Sequence, residues 1–479
     1  MDAPEPVTVH KNPLVVDLDG TLIRSDMLVE SAFALASAAP LRAARAALAL
    51  TRGQAALKAA IAGHAQVDLD ALPFNHALLD LLRAEKAAGR RIYLASASNE
   101  AFVHAIADKL ALFDGVFASN AHTNLKGSAK AAALTAAFGP KGFDYAGNST
   151  ADLPVWDAAG GVIAVNASPS LQATVRRRFP TATIMPTPPV RPAEYLRALR
   201  VHQWLKNLLI FVPAFTSHHF DAPSAFACLV AFLSFSLCAS SVYLLNDLLD
   251  LGNDRLHPTK RLRPFASGSV DLLHGMVMLG ATLAASIVIA LFLPWQFLLV
   301  LAVYYALTLS YSVYLKRQAT LDVVTLACLY GIRLQAGAVA VDVILSPWLL
   351  TFSIFLFLCL ALVKRITELI DRRDSAAGDP SGRGYRLADL SILQTMATAS
   401  GYVAVLIFAL YINSPAVAAL YRAPQLMWVI PMILLYWISR IMILTHRGEM
   451  HDDPVLFAAR DRTSLVCVVL MVLVVIASI

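Results

Sequence analysis

The stretch VYLLNDLLDLGNDRLHPTKRLRPFASG, from Val242 to Gly268, joins an apolar run to an acidic and then a basic segment. Its first polar residues are Asn246, Asp247, Asp250 and Asp254. Positions four apart lie along one side of a helix, where like charges repel one another. Carboxylates near a bilayer are costly unless something cationic binds among them, and Mg²⁺ prefers such oxygen ligands. The stretch therefore predicts a magnesium site, with a solvated helix end beside basic neighbours as the alternative.

Around this stretch the chain has the composition of a membrane protein. Its 479 residues are 58% hydrophobic and only 15% charged, and the mean hydropathy is +0.61. A soluble globular chain has about 25% charged residues, so a wholly soluble enzyme, a coiled coil and a disordered chain are disfavoured. The net charge of +6 comes mostly from the apolar half, which indicates loop charge at a membrane and no nucleic-acid partner.

Long apolar runs after residue 200 predict about nine transmembrane helices. The runs are 202–216, 225–247, 273–293, 295–314, 321–341, 347–364, 394–412, 425–445 and 462–479. Each is near the ~20 residues that cross a bilayer core. Lys and Arg concentrate in the loops after the second, fourth, sixth and eighth runs. The positive-inside rule then predicts a multi-pass protein of the inner membrane, with the N-terminal domain in the cytoplasm and the C-terminus outside.

The first 180 residues alternate short apolar runs with helical patterns, which predicts an α/β domain with a parallel sheet. The predicted strands are LVVDLDG, RRIYLASAS, FDYAGNS and GVIAVN. A stretch at about 27–86 is rich in Ala and Leu and predicts a helical insertion over the sheet. TATIMPTPPVRP predicts a proline-rich linker at 181–195, before a membrane domain at 196–479.

Polar residues follow the predicted strands in a fixed order. Asp17 and Asp19 end the first strand, Ser96 ends the second, Lys130 opens a helix, and Asp152 follows the third strand. A carboxylate at a strand tip can attack phosphorus, and a second one can protonate the leaving group. This order resembles the four motifs of the haloacid dehalogenase-like hydrolases, which have a Rossmann-like fold with a small helical cap.

That resemblance implies roles for these residues. Asp17 would be the nucleophile and Asp19 the general acid and base. Ser96 and Lys130 would bind the phosphoryl oxygens, and Asp17 and Asp152 would hold Mg²⁺. Lys126 is a rival for the lysine role, although the spacing to Leu134 favours Lys130.

One residue departs from the pattern of this family. Asn148 stands where the family usually has a second acidic residue. An amide oxygen can still bind Mg²⁺ but brings no negative charge, which leaves metal affinity and turnover in doubt. A retained but inactive scaffold is therefore the alternative to a working phosphatase.

The pattern N-D-x-x-D-x-x-x-D at a cytoplasmic helix end resembles the UbiA superfamily of intramembrane prenyltransferases, from about Tyr195 to Ile479. Finer features resemble its decaprenyl-phosphate phosphoribosyltransferase branch: LRVHQWLKN at 199–207, HPTKRLRPFASG at 257–268, YSVYLKR at 311–317 and LVKRITEL at 362–369. The resemblance implies a nine-helix fold and transfer of phosphoribose from phosphoribosyl diphosphate to a polyprenyl phosphate. Mg²⁺ on the aspartate motif would neutralise the departing diphosphate.

Basic residues near the cytoplasmic helix ends are candidates for binding the three anionic groups of such a reaction. They are Lys206, Lys260, Arg263, Lys316, Lys364 and Arg365. Each taken alone also fits as a loop charge that sets orientation. Asp322 and Arg333 are further candidates, because Arg333 lies within a span, where an ionisable residue is costly unless it is paired or faces a cavity.

The two halves fit one reaction sequence, in which the hydrolase domain removes the 5-phosphate to give polyprenyl-phosphoryl ribose, a precursor for cell-envelope glycans. One alternative is a UbiA-type aromatic prenyltransferase that uses polyprenyl diphosphate. Another is a non-enzymatic membrane carrier with a sensor domain. The expected partners are phosphoribosyl diphosphate, polyprenyl phosphate and the membrane, and the sequence leaves the oligomeric state open.

Overall fold

The computed structural model of the chain contains two compact units. It describes residues 12–120, 123–185, 190–375, 378–379, 384–414, 421–450 and 453–479. The first unit comprises the chain up to Leu199 together with Tyr243–Met278, and the second comprises Arg200–Val242 and Leu279–Ile479. The aspartate motif and the basic segment after it thus belong to the first unit.

A six-stranded sheet forms the centre of the first unit. Its strands are β1 (Leu14–Val16), β2 (Ile92–Asn99), β3 (Gly115–Ser119), β4 (Asp144–Gly147), β5 (Gly161–Val165) and β6 (Thr183–Met185). They are all parallel, in the order β3-β2-β1-β4-β5-β6. The predicted parallel α/β domain is confirmed, and the two edge strands β3 and β6 are additions to the four predicted strands.

The central strand β1 is fully buried and pairs on both sides. Leu14 lies opposite Ile92 of β2 and opposite Asp144 of β4. Because the carboxyl ends of parallel strands meet at one edge of a sheet, the residues that follow β1, β2 and β4 come together there. This edge is where the sequence places Asp17, Ser96 and Asn148.

Helices cover the sheet and form the insertion. They are α1 (Met27–Ala38), α2 (Pro40–Ala47), α3 (Gln54–Ala62), α4 (His76–Ala87), α5 (Glu100–Leu110), α6 (Ser128–Phe138), α7 (Leu153–Ala158), α8 (Pro169–Arg178) and α9 (Pro192–Ala198). Helices α1 to α3 share a small apolar cluster of their own around Leu35, Ala46 and Ile61. Helix α4 instead packs against the sheet through Leu78 and Leu82, so the insertion proper is formed by α1 to α3.

The predicted linker at 181–195 contains β6 and the beginning of α9, and residues 186–189 within it lie outside the described residues. After it the chain is helical. The helices are α10 (Val212–Thr216), α11 (Ala222–Leu249), α12 (Leu251–Leu256), α13 (Leu272–Ala290), α14 (Trp295–Val313), α15 (Leu321–Ala340), α16 (Pro347–Asp374), α17 (Leu390–Ile412), α18 (Val429–His446), α19 (Pro454–Arg460) and α20 (Arg462–Ser478).

Among the described residues, seven helices are long and apolar enough to cross a membrane, and the pair α19 and α20, bent by 82°, would make eight. The membrane domain is thus confirmed with slightly fewer spans than the nine predicted. The first predicted span, 202–216, is a 3₁₀ helix at Val201–Phe211 followed by the short α10. Gly337 of α15 lets this segment approach closely, since a Cβ at Gly337 would lie 2.0 Å from the carbonyl oxygen of Ile210.

Candidate functional site

A cavity of about 540 Å³ opens at the carboxyl edge of the sheet in the first unit. The predicted residues Asp17, Asp19, Lys130, Asn148 and Asp152 all line it. The structure therefore brings together residues that are up to 135 positions apart in the sequence, from Asp17 to Asp152.

Ser98 also lines this cavity, although the sequence pattern pointed to Ser96. Ser96 is fully buried, and both hydroxyls donate to the same oxygen of Asp19, at 3.1 Å from Ser96 and 2.7 Å from Ser98. The other Asp19 oxygen accepts from the backbone nitrogen of Met27 at 2.8 Å. The carboxylate of Asp19 is thus held between β2 and the start of the insertion.

Asp17 follows β1 and is nearly buried at the bottom of the cavity. Its Oδ1 accepts a hydrogen bond from Lys130 Nζ at 2.6 Å, and Thr21 donates to Oδ2 at 3.4 Å. Burial raises the pKa of Asp17 to about 7. Lys130 opposes this shift, but the nearby carboxylates of Asp152 and Asp19 add to it. A divalent cation bound here would stabilise the ionised form of Asp17.

Tyr145 connects the two ends of this cluster, and the sequence did not single it out. It accepts from Lys130 Nζ at 2.9 Å and donates to Asp152 Oδ1 at 3.0 Å. The backbone nitrogens of Asn148 and Ser149 donate to the other oxygen of Asp152, at 3.0 and 2.9 Å. The only sequence signal was a tyrosine within a buried strand, whose hydroxyl needs a hydrogen-bond partner.

Gly20 makes room for Asn148 at the mouth of the cavity. Its φ is +73°, and a Cβ on Gly20 would lie 2.0 Å from the amide nitrogen of Asn148. Asn148 therefore faces the cavity with Asp17 and Asp152. Among the described residues, no group of three or more His, Cys, Asp or Glu side chains forms a metal site. Mg²⁺ does not require one, because it is commonly held by one or two carboxylates together with substrate phosphate oxygens.

The insertion adds charged residues to the cavity that were not predicted. Lys58 of α3 donates to the carbonyl oxygen of Ala97 at 2.6 Å and to Asn124 at 3.4 Å. Asp26 caps α1, and burial raises its pKa to about 6, with the charge of Asp19 adding to the effect. Lys126, the rival of Lys130, lines the cavity as well. Lys58 and Lys126 thus join Lys130 as cations of the cavity that can meet an anionic ligand.

The aspartate motif lies where α11 ends and α12 begins. The backbone nitrogen of Asp250 donates to the carbonyl oxygen of Asn246 at 2.8 Å, and that of Asp254 donates to the carbonyl oxygen of Asp250 at 2.9 Å. The helical repeat therefore continues through the junction of the two helices. The succession places the polar residues of the motif on consecutive turns, as the spacing of four predicts.

Arg263 bridges two carboxylates of this motif. Its Nη1 lies 3.1 Å from Asp247 Oδ1 and 2.5 Å from Asp254 Oδ2. Both aspartates are 3% exposed. Burial raises the pKa of Asp254, and Arg263 opposes this effect. Two buried carboxylates of the motif thus share one cation, Arg263. A metal ion bound to a diphosphate could take the place of this cation between the carboxylates.

The two remaining basic candidates at loop positions lie in single-turn 3₁₀ helices. Lys260 is exposed in Lys260–Leu262, and Lys316 is half-buried in Leu315–Arg317. They belong to the first and second units respectively. Their part in phosphate binding stays a prediction.

In the second unit, Lys206 and Lys364 share one carboxylate that was not predicted. Their Nζ atoms lie 2.8 and 3.1 Å from Asp453 Oδ2. Burial would raise the pKa of Asp453, but Lys364 and Lys206 hold it well below its usual range. Asp453 precedes a proline at the start of α19, which is a sequence pattern typical of a helix cap. This pattern did not indicate that Asp453 pairs with the two lysines. The two lysines are therefore held close together.

Arg365 and Asp322, two further candidates, form a buried ion pair between α15 and α16. Their side chains are 2% and 0% exposed, and Nε of Arg365 lies 2.5 Å from Oδ2 of Asp322. Tyr311 donates to the other oxygen of Asp322 at 2.7 Å, and Glu368 also pairs with Arg365. This geometry joins two membrane helices and the end of α14.

Arg333 is paired within the membrane domain, as its position in a span requires. Its Nε donates to Asn207 at 2.9 Å, and the guanidinium lies 5.2 to 5.4 Å from the ring centroids of Tyr304, Phe235 and Tyr330. Aromatic faces stabilise a cation at such distances. Arg333 therefore holds the LRVHQWLKN segment against α15.

Replacing Asp322 by Asn should destabilise the membrane domain by about 3 kcal/mol, because removing one partner of a buried ion pair leaves the other charge uncompensated. Thermal unfolding in detergent measures the loss. Glu368→Gln is the matched control, since Glu368 is 39% exposed and its pair with Arg365 should contribute less than about 1 kcal/mol. Unchanged thermal unfolding of Asp322→Asn would contradict this structural role.

Comparison with known families finds two matches along the chain. Residues 208–476 match the UbiA prenyltransferase family, and residues 14–157 match the haloacid dehalogenase-like hydrolases. The first match covers more than half of the chain. The two matches fall on the membrane helices and on the parallel sheet.

Relatives resemble the whole chain or its membrane part. The chain is 39% identical to the uncharacterized protein y4nM of Sinorhizobium fredii, over 95% of this chain and 89% of that protein. It is 36% identical to the decaprenyl-phosphate phosphoribosyltransferase of Mycobacterium tuberculosis, over 43% of this chain and 70% of that protein. A solved UbiA homolog from Archaeoglobus fulgidus, bound to GPP and Mg²⁺, aligns with 59% of this chain and 99% of its own at 17% identity, with a TM-score of 0.46.

Proposed function

Since the chain belongs to the UbiA prenyltransferase family and carries an N-terminal haloacid dehalogenase-like domain, we propose that it makes a lipid-linked ribose in two steps. In the first step the membrane domain transfers 5-phosphoribose from phosphoribosyl diphosphate to a polyprenyl phosphate. In the second step the hydrolase domain removes the 5-phosphate. The product, polyprenyl-phosphoryl ribose, would serve the synthesis of cell-envelope glycans.

The observation that carries this proposal is the bridge from Arg263 to Asp247 and Asp254. Arg263 comes from the HPTKRLRP segment, whose resemblance is to phosphoribosyltransferases, and the aspartates come from the motif of the whole superfamily. The identity with a decaprenyl-phosphate phosphoribosyltransferase over the membrane part supports the same activity. An aromatic prenyltransferase would use the same aspartates for the diphosphate of its prenyl donor, so the choice of donor separates the two activities.

In the transferase step, the C1–oxygen bond of phosphoribosyl diphosphate breaks and a phosphate oxygen of the lipid forms the new bond. Bound Mg²⁺, which the carboxylates of the aspartate motif fit, would neutralise the leaving diphosphate. Arg263 is placed to take up negative charge from the same group. In the second unit, Lys206 and Lys364 both pair with Asp453 and stay candidates for binding a phosphate group.

In the phosphatase step, Asp17 attacks the 5-phosphate, the bond between phosphorus and the sugar oxygen breaks, and Asp19 protonates that oxygen. Asp19 then acts as general base for a water molecule that hydrolyses the aspartyl-phosphate and releases inorganic phosphate. The hydrogen bonds of Ser96 and Ser98 fix the Asp19 carboxylate for this transfer. Lys130 donates to Asp17 and, as a cation lining the cavity, would bind the phosphoryl oxygens. Asp17 and Asp152 would hold Mg²⁺, which would supply positive charge to the phosphate. The charge of the loops favours the cytoplasmic side for both steps.

The test uses purified protein with Mg²⁺, polyprenyl phosphate and phosphoribosyl diphosphate labelled in the ribose and in the 5-phosphate. We expect lipid that carries the ribose label without the phosphate label, and no labelled lipid when the divalent cation is chelated. Lipid with both labels would contradict the phosphatase step alone. Consumption of prenyl diphosphate with an aromatic acceptor, and no labelled lipid, would contradict the transferase step.

A further inference from the structure

The phosphatase cavity has one wall that comes from the chain after the aspartate motif. Asp271 and Leu273 line the cavity together with Asp17 and Asp152, although they follow HPTKRLRPFASG in the sequence. Leu273 is 51% exposed and lies in the first turn of α13. Both residues belong to the first compact unit, as the catalytic aspartates do.

A buried ion pair fixes this segment to the insertion. Arg255 donates from Nη1 to Glu30 Oε2 at 3.0 Å and from Nη2 to Oε1 at 2.6 Å. The side chains are 6% and 4% exposed, and Nε of Arg255 donates to the carbonyl oxygen of Ala266 at 3.1 Å. A two-bond contact between a guanidinium and a carboxylate fixes the orientation as well as the distance of the two elements.

A second contact lies at Gly268, where the backbone of the segment approaches the α/β domain. A Cβ on Gly268 would lie 3.2 Å from Cβ of Arg24 and 3.3 Å from Cβ of Pro73. The φ of Gly268 is +69°, a conformation that favours glycine. Two independent contacts therefore hold the segment against the domain that carries Asp17.

The lining of the cavity combines charged and apolar side chains. Asp17 and Lys130 are buried in it, Leu28 and Leu57 are half-buried, and Leu273 is exposed. A phosphate group fits the charged side chains, whereas the leucines favour a ligand with an apolar portion. A small sugar phosphate offers only the phosphate group and has no apolar portion. A sugar phosphate on a polyprenyl lipid offers both.

We propose that the segment Arg255–Leu273 forms a specificity wall of the phosphatase, which selects phosphomonoesters carried on a polyprenyl lipid over soluble sugar phosphates. Glu30 and Arg255 are positioning residues for this wall, and Leu273 contacts the apolar part of the substrate. The inference rests on the proposed phosphatase function, and it names the substrate class of that site. It also explains why the hydrolase domain and the transferase motif share one compact unit.

The test compares kcat/KM for polyprenyl-phosphoryl ribose 5-phosphate and for ribose 5-phosphate in the full-length protein. We expect Glu30→Arg to lower the value for the lipid-linked substrate about tenfold or more, since lost pocket contacts act on this scale. The value for ribose 5-phosphate should stay within about twofold, and the double variant Glu30→Arg with Arg255→Glu should recover the lipid-linked value. Asp80→Arg, which removes the exposed pair with Arg83, is the control for a charge change on the same domain.

The possible results separate the two proposals. Equal losses on both substrates, or no loss on either, would overturn the specificity wall while the phosphatase function stands. Release of phosphate from neither substrate by the wild-type protein would overturn both. If Glu30→Arg does not fold, Glu30→Gln, which keeps the size of the side chain, takes its place. The values of kcat/KM for the two substrates are then compared in that variant.

Discussion

Asp17→Asn should lower phosphate release from the lipid-linked ribose 5-phosphate by about 10⁴-fold or more, because an amide cannot replace the attacking carboxylate. The variant also removes one partner of the buried ion pair with Lys130, so we expect a loss of stability of up to about 3 kcal/mol, and an unchanged transferase step would show that the protein is still folded. Lys130 keeps its hydrogen bond to Tyr145 in the variant. The doubly labelled assay would then show lipid with both labels.

The control for this prediction is Asp157→Asn. Asp157 lies in the same domain, pairs with Arg178 and is 41% exposed, so its loss should change phosphate release by no more than about twofold. The transferase step should be unchanged in both variants. Phosphate release by Asp17→Asn at the wild-type rate would show that another residue is the nucleophile or that the phosphatase activity comes from elsewhere.

The architecture of the α/β domain was predictable because its central strands are short apolar runs that end in polar residues. Strand β1 is fully buried on both faces, so its sequence LVV shows no alternation and indicates a parallel sheet. The edge strands β3 and β6 escaped prediction for the opposite reason. Strand β3 is mostly half-buried, and β6 begins with an exposed residue and is otherwise half-buried, so neither gives a clear apolar run.

The helices of the membrane domain follow from length and hydropathy, but the segment after Arg200 does not. Its composition is that of a span, yet Val201–Phe211 is a 3₁₀ helix packed close to Gly337. The hydrogen-bond pattern of a helix is set by its neighbours as well as by its own residues. Apolar composition alone therefore predicted a transmembrane helix where the structure has two shorter elements.

Motif spacing predicted which residues come together at the cavity of the sheet edge, whereas the partners of these residues could be identified only from the fold. Asp17, Lys130 and Asp152 follow three different strands in the sequence. A parallel topology brings the segments after these strands together at one edge of the sheet. Tyr145 and Asp453 are partners that only tertiary contacts reveal, because neither stands in a motif. The same holds for Glu30, whose pair with Arg255 joins positions 225 apart.

Asp254→Asn should lower the transferase rate by roughly 10²–10³-fold, the scale on which a lost metal ligand or charge stabiliser acts. Asp254 is 3% exposed and faces Arg263 together with Asp247, so the variant leaves one carboxylate where two surround the cation. The amide removes the negative charge and keeps the size of the side chain. The rate of transfer of labelled ribose to polyprenyl phosphate, at several Mg²⁺ concentrations, measures the effect, and a higher Mg²⁺ requirement is expected.

The matched control is Asp221→Asn, at the opposite end of the same helix α11. Asp221 is exposed and caps the helix by accepting from Ser224, a role that asparagine also fills. The Asp221→Asn variant should transfer ribose at the wild-type rate. The Asp254→Asn variant should still hydrolyse added lipid-linked ribose 5-phosphate. A loss of both activities in Asp254→Asn would mean that the residue stabilises the unit it shares with the sheet. A loss of transfer alone, with an altered Mg²⁺ dependence, assigns Asp254 to the reaction, because a purely structural residue would not change the metal requirement.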